Sequence, residues 1–114
     1  MSNVNTKVTG AVQSVKEFNN KENTMFSITM KVVNDYRNKS GDYAGKYGSK
    51  FYDVKFFTKT DAQVKFVKDV IAPRAKKYDK VMTIEADVEP TSFEKNGETR
   101  YELQLVAQDF HLHN

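Results

Sequence analysis

A two-residue alternation of apolar and polar side chains is the feature that most constrains the fold of this chain. It is clearest over residues 25–33 and 51–58. Successive side chains of a strand point to opposite faces, so the pattern is typical of strands with one buried and one exposed face. Weaker patterns predict three further strands over residues 5–18, 81–89 and 99–107, with Gly10 marking a bulge or bend in the first. The chain is therefore predicted to be mainly β.

One helix is predicted between the third and fourth strands. Gln63 follows Thr60 at the spacing of a capping box, and apolar residues recur at helical spacing over residues 64–71. Pro73 is expected to end or kink this helix because proline lacks a backbone N–H.

The last two strands are predicted to form a hairpin. Asn96-Gly97 lies between them, and this dipeptide favours the positive backbone angles of a two-residue turn. Pro90 is expected to stop or divert the fourth strand, so residues 90–99 are expected to form the hairpin loop.

The order of these elements predicts an OB-fold. Three strands, a helix and a hairpin match this five-stranded Greek-key barrel, whose binding face lies on strands two and three and the adjoining loops. The length of 114 residues fits one domain over residues 1–114. The absence of cysteine excludes disulfide scaffolds and cysteine zinc sites, and no apolar run is long enough for a membrane span.

The charge is divided unevenly along the chain. Residues 1–80 carry 16 Lys and Arg against eight Asp and Glu, whereas residues 81–114 carry two against seven. The division indicates one basic face, although ordinary surface solvation is an equally good interpretation.

Two phenylalanines fall on the polar side of the third strand. If Tyr52 and Phe56 fill the barrel, Phe51 and Phe57 lie outside with Lys55, and Lys59 continues the same side. Nucleic-acid bases stacked on such rings contribute about 1–3 kcal/mol each, and interleaved lysines meet phosphates. The alternative is that the rings pack under a loop or a neighbouring subunit.

Two loops carry further candidate contacts. Phe93 lies in the hairpin, where it either meets a partner or caps the barrel mouth, and Lys95 and Arg100 are near it. Residues 34–50 are expected to form a flexible basic loop rich in Gly and Tyr, which a ligand orders or which is simply solvated. Its candidate binding residues are Tyr36, Arg37, Lys39, Tyr43, Lys46, Tyr47 and Lys50.

The remaining aromatic and polar residues point to no other chemistry. No phosphate-binding, dinucleotide-binding or catalytic-triad motif is present, and His111 and His113 form at most half of a metal site. Asp53 is expected to balance nearby positive charge. No metal, cofactor or catalytic residue is predicted. The aromatic residues expected in the core are Phe26, Tyr52, Phe56, Phe66 and Tyr101, while Phe18, Tyr78 and Phe110 are left unassigned.

The chain resembles the single-stranded DNA-binding proteins of bacteria and their phages. The resemblance covers nearly the whole chain and is best over residues 25–36 and 49–57, with weaker matches over residues 84–88 and 93–101. It implies that bases stack on Tyr36, Phe51, Phe57 and Phe93, where the family mostly uses tryptophan. The family also has a basic residue where Asp53 stands. Its cellular members continue into an acidic tail, and this chain is expected to lack such a tail after Asn114.

The resemblance therefore implies a compact phage- or plasmid-type member in the cytoplasm, which is that of the bacterial host for a phage protein. It also implies a homo-oligomer, either a dimer or a tetramer, and partners from replication or recombination. The predicted function is non-enzymatic, sequence-tolerant binding and protection of single-stranded DNA. An RNA-binding OB module and a protein-binding accessory barrel are the alternatives, and an OB-fold nuclease is a minor one.

Overall fold

A closed five-stranded barrel forms the structure, a computed structural model in which residues 3–34 and 48–113 are described. The barrel order is β1-β2-β3-β5-β4. In this barrel β3 and β5 pair in parallel, and the other neighbouring strands pair antiparallel. This confirms the predicted mainly β OB-fold with one helical segment between the third and fourth strands. The elements are β1 (Asn5–Asn19), β2 (Thr24–Asn34), β3 (Gly48–Thr58), α1 (Asp61–Phe66) with a π-helical turn (Val67–Ile71) and a 3-10 turn (Ala72–Arg74), β4 (Val81–Lys95) and β5 (Glu98–Leu112).

The barrel closes because β1 changes its neighbour halfway along. Its first half pairs with β4 up to Ala11, and its second half pairs with β2 from the same residue. Gly10 lies at this change of partner, where its backbone passes close to Lys31. The β-bulge in β1 lies between Val12 and Ser14 instead, two residues beyond the glycine.

The core consists of the inward residues of the strands, covered at one side by the helical segment. Phe26 and Phe56 are buried as predicted, and Phe66 packs against the same cluster. Phe110, which the sequence left unassigned, meets the Phe56 ring edge-on at a centroid distance of 5.1 Å.

Two of the predicted core aromatics are not in the core. Tyr52 faces inward beside Met30 but is 38% exposed, and Tyr101 is 78% exposed. Tyr101 is exposed because, among the described residues, the ladder between β5 and β3 comprises Leu105 and Val106, so the beginning of β5 projects beyond the barrel. We call the projecting part of β4 and β5, residues 90–103, the hairpin arm.

The sequence predicted that Pro90 stops or diverts β4, and the first of these alternatives is wrong. The strand continues to Lys95, and its ladder with β5 extends to the last pair before the turn. Proline is tolerated on an edge strand, and β1 pairs with β4 only as far as Asp87. Asn96 and Gly97 form the predicted turn with φ values of 52° and 78°.

The predicted N-cap of the helix is confirmed. Thr60 Oγ1 accepts a hydrogen bond from the Gln63 backbone N–H, while the Gln63 side chain accepts one from the Thr58 hydroxyl. Pro73 lies in the 3-10 turn that ends the helical segment. No helix within the described residues is long and apolar enough to cross a membrane.

Candidate nucleic-acid interface

The outer face of β2 and β3 carries the two phenylalanines that the alternation placed outside the barrel. Phe51 is 57% exposed and Phe57 is 44% exposed. Phe51 pairs with Lys31 of β2, and Phe57 pairs with Met25. Directly paired residues share a face of the sheet, so these side chains all lie on the outer surface. The exposure agrees with the sequence analysis, and the role of the rings in binding stays a prediction.

Phe18 joins this surface, although the sequence analysis left it unassigned. It pairs with Met25, which pairs in turn with Phe57, so three apolar side chains lie in one row across β1, β2 and β3. Phe18 is itself 50% exposed. The signal in the sequence was its two-residue spacing from Lys16. The bulge between Val12 and Ser14 conceals that signal, because it changes which positions of β1 face outward.

Lysines lie beside this apolar row. Lys16 pairs with Ser27, and Ser27 pairs with Lys55, so the neighbouring row has a cation at each end. Lys59 is exposed just after β3. Lys50 is also exposed, but it pairs with Val32 and so has the inward parity of Tyr52 rather than that of Phe51. The outer face of β3 thus carries an aromatic ring at each end, Phe51 and Phe57, with Asp53 and Lys55 between them. Rings and cations on one surface suit stacking on bases and contact with phosphates.

Within the described part of the chain, Lys31 and Lys68 each contact another side chain. Lys31 Nζ lies 4.2 Å from the centroid of the Tyr78 ring, and the Tyr78 hydroxyl donates to Gln13 Oε1 at 2.6 Å. Lys68 Nζ lies 3.0 Å from Glu17 Oε1.

Asp53 is the acidic residue on this face. Its Oδ1 accepts a hydrogen bond from Thr29 Oγ1 at 2.6 Å across the β2–β3 pair. Within residues 3–34 and 48–113, no ion pair involves Asp53. No direct ion pair within these residues therefore supports the expectation that Asp53 balances nearby positive charge.

The hairpin arm carries the third predicted ring. Phe93 is 40% exposed and pairs with Arg100, while Lys95 is exposed beside the turn. Arg100 Nη2 lies 3.3 Å from Glu98 Oε2, so this predicted phosphate contact has an acidic neighbour. The parallel register of β3 and β5 places the beginning of β3, with Phe51, at the same end of the barrel as the arm.

The other predicted site residues lie outside the described residues. These are Tyr36, Arg37, Lys39, Tyr43, Lys46 and Tyr47.

A separate polar cluster occupies the outer face of β1, β4 and β5. His111 Nε2 lies 3.1 Å from Glu85 Oε2 and 3.5 Å from Asp109 Oδ2, and Lys7 Nζ lies 3.6 Å from Glu85 Oε1. The hydrogen bond with His111 is the main cause of a lowered pKa for Glu85. These groups include three potential metal-ligand atoms within 4.8 Å of one another, two of which the sequence analysis missed. The signal was the two-residue spacing of Asp109 and His111 on one strand.

His113, the other histidine noted in the sequence, is separate from that cluster. Its Nε2 lies 2.8 Å from Thr83 Oγ1, which in turn lies 2.7 Å from Thr9 Oγ1. The two histidines therefore face different partners.

No family model matches the sequence, and no curated protein matches it. Solved structures do match the fold. A mitochondrial single-stranded DNA-binding protein of S. cerevisiae has a TM-score of 0.64 and 17% identity, with 98% of this chain and 96% of that chain covered. A Plasmodium falciparum protein in complex with single-stranded DNA has a TM-score of 0.68, 8% identity and coverages of 100% and 97%.

A bacterial structure also matches. The small single-stranded DNA-binding protein of Streptomyces coelicolor has a TM-score of 0.63 at 11% identity, with 99% of this chain and 96% of that chain covered. At these identities the similarity establishes the fold that this chain shares with those proteins.

Proposed function

We propose that this protein binds single-stranded DNA without strong dependence on sequence, through the outer face of β2 and β3. One observation carries the proposal: Phe51 and Phe57 are both about half exposed on a single strand, with Lys55 between them. Leaving such rings exposed to water is unfavourable, whereas stacked bases would cover them.

The energetics of this surface favour a flexible polyanion with exposed bases. Stacking contributes about 1–3 kcal/mol per base and works with every base, because each has a π-face. Lysines contribute by releasing counterions from the phosphates, which makes binding weaken with salt. A duplex hides its base faces, so it offers this surface only phosphates.

The structural neighbours support the same proposal. They are named as single-stranded DNA-binding proteins, and one was solved with single-stranded DNA bound. By analogy we propose a non-enzymatic role in coating and protecting DNA during replication or recombination. The proposal extends to a homo-oligomer in the bacterial cytoplasm, of phage or plasmid type, whose oligomeric state light scattering would determine.

Fluorescence anisotropy with labelled oligonucleotides tests the function. A thymine oligonucleotide, a matched duplex and a matched RNA are compared at low and high salt. We expect tight, salt-sensitive binding to the single DNA strand and much weaker binding to the duplex. Equal binding to the duplex would refute the proposal.

The same experiment separates the alternatives. Stacking alone does not distinguish the two sugars, so the comparison of DNA with RNA is needed. Preference for the RNA strand would indicate an RNA-binding module. No affinity for any oligonucleotide, with protein capture that survives nuclease treatment, would indicate a protein-binding barrel. Incubation of labelled DNA with divalent metal tests for nuclease activity, and we expect the strand to stay intact.

A further inference from the structure

Asp53 places a negative charge on the proposed DNA-binding face, where a surface that binds a polyanion is not expected to carry one. It is exposed on the outer face of β3, between Phe51 and Lys55. A carboxylate repels phosphates, so the DNA backbone is expected to run beside this position, over the lysines, rather than across it. What reaches Asp53 is then the edge of a base.

Thr29 orients the carboxylate. Its hydroxyl donates to Asp53 Oδ1 at 2.6 Å, and the β-branched threonine has few side-chain rotamers. Within the described residues, Oδ2 has neither a hydrogen-bond donor nor a cation as a partner. The group is therefore a positioned acceptor with an open side.

The neighbouring ring sets the distance at which a base would meet it. Residues two apart on one face of a strand are about 6.6 Å apart, roughly the width of a base. A base stacked on Phe51 with its Watson–Crick edge along the strand therefore brings that edge to Asp53. Proteins that bind single strands commonly read bases on this edge.

The four bases differ in what they offer to a carboxylate. Guanine presents two adjacent donors, N1–H and the exocyclic N2 amine, which match the two oxygens of a carboxylate. Adenine and cytosine present one amino group beside a ring acceptor. Thymine presents one N–H between two carbonyl oxygens, which a carboxylate repels.

We propose that Asp53, oriented by Thr29, makes the outer face of β2 and β3 prefer guanine over thymine at the base stacked on Phe51. This inference rests on the proposed single-stranded DNA binding and assigns a base preference to that same site. Overall binding stays sequence-tolerant, because the other rings stack on any base.

Three oligonucleotides of equal length test the preference. One is all thymine, one carries isolated guanines that cannot form quadruplexes, and one carries inosine at the same positions, which lacks only the N2 amine. We expect the wild type to bind the guanine strand about fivefold more tightly than the thymine strand, the low end of the effect of a bidentate base contact. The inosine strand should lie between them.

The variants separate base recognition from simple charge. Asp53→Asn should bring the three affinities together, and Thr29→Val should reduce the guanine preference while leaving the charge in place. Asp109→Asn removes the same charge from the exposed polar cluster on the outer face of β1, β4 and β5, and should preserve the preference. If Asp53→Asn strengthens binding to all three strands by one common factor, the carboxylate acts only on phosphates and the inference is wrong.

Failure of this inference is distinguishable from failure of the proposed function. Wild-type protein that binds all three strands equally would refute the guanine preference and leave single-stranded DNA binding intact. Wild-type protein that binds none of them would refute both.

Discussion

A Cβ atom added to Gly10 would lie 2.3 Å from the carbonyl oxygen of Lys31. The contact is with backbone, so no side-chain rotation relieves it. It occurs where β1 leaves β4 and begins to pair with β2, and therefore where the barrel closes. Glycine at this position lets the two strands approach more closely than any other residue would.

Gly10→Ala is therefore expected to lower the free energy of unfolding by about 3 kcal/mol, the upper end of the usual cost of overpacking. Gly97→Ala is the comparison, because a Cβ there meets nothing within 4 Å and only the positive φ of 78° is unfavourable. That strain costs about 1 kcal/mol. Urea denaturation of both variants measures the difference, and an equal or smaller loss for Gly10→Ala would contradict the close approach.

The fold could be predicted from sequence because its strongest signals are local. Alternation identified β2 and β3, and Asn96-Gly97 identified the turn, since both depend on neighbouring residues alone. Tyr101 was misplaced because its alternation continues that of the barrel interior, although the arm has left the barrel. The sequence of one strand does not indicate where the neighbouring strands of the barrel end.

The candidate site could be predicted only in part for a related reason. The outward parity of Phe51 and Phe57 follows from β3 alone, so it was visible in the sequence. The row of Phe18 beside Phe57 depends on a bulge and on two strand registers. The hydrogen bond between Thr29 and Asp53 likewise requires the register of β2 against β3.

Loss of a stacking ring should weaken binding to single-stranded DNA. Phe57→Ala and Phe93→Ala are each expected to raise the dissociation constant by about 5- to 150-fold, which corresponds to about 1–3 kcal/mol per base. Val4→Ala is the control. Val4 is 65% exposed but lies beside β4, away from the outer face of β2 and β3, so its loss should leave binding unchanged. Anisotropy titrations measure the three constants. Unchanged binding in both phenylalanine variants, with normal folding by circular dichroism, would exclude stacking on these rings.

Phe18 should extend the binding face onto β1. Its row with Met25 and Phe57 provides a platform three strands wide, so we expect Phe18→Ala to weaken binding to long oligonucleotides by about fivefold or more. Phe18→Tyr keeps the aromatic face and should retain the affinity. The measurement is affinity against oligonucleotide length, and a loss shared by Phe18→Tyr would contradict a stacking role.

Lysines on the outer face of β2 and β3 should contribute through phosphates alone. Lys55→Ala is expected to reduce the slope of log affinity against log salt by about 0.7, the value for one phosphate contact on a single strand. Lys7→Ala is the matched control, because Lys7 lies beside Glu85 on the other face of the barrel. An equal change of slope in both variants would indicate a general charge effect rather than a contact by Lys55.

Glu85 should show a pKa below its ordinary value of 4.5, chiefly because of its hydrogen bond with His111, with smaller contributions from the charges of His111 and Lys7. A carboxyl pKa that is lower in the folded state stabilises the fold at any pH above the pKa of the unfolded state. That stabilisation is lost as the pH falls through the folded-state pKa. His111→Ala should therefore raise the Glu85 pKa towards 4.5, and Lys7→Ala should raise it less. Carboxyl carbon NMR titration measures the pKa in each variant. A larger rise in Lys7→Ala than in His111→Ala would mean that charge, rather than the hydrogen bond, governs this carboxylate.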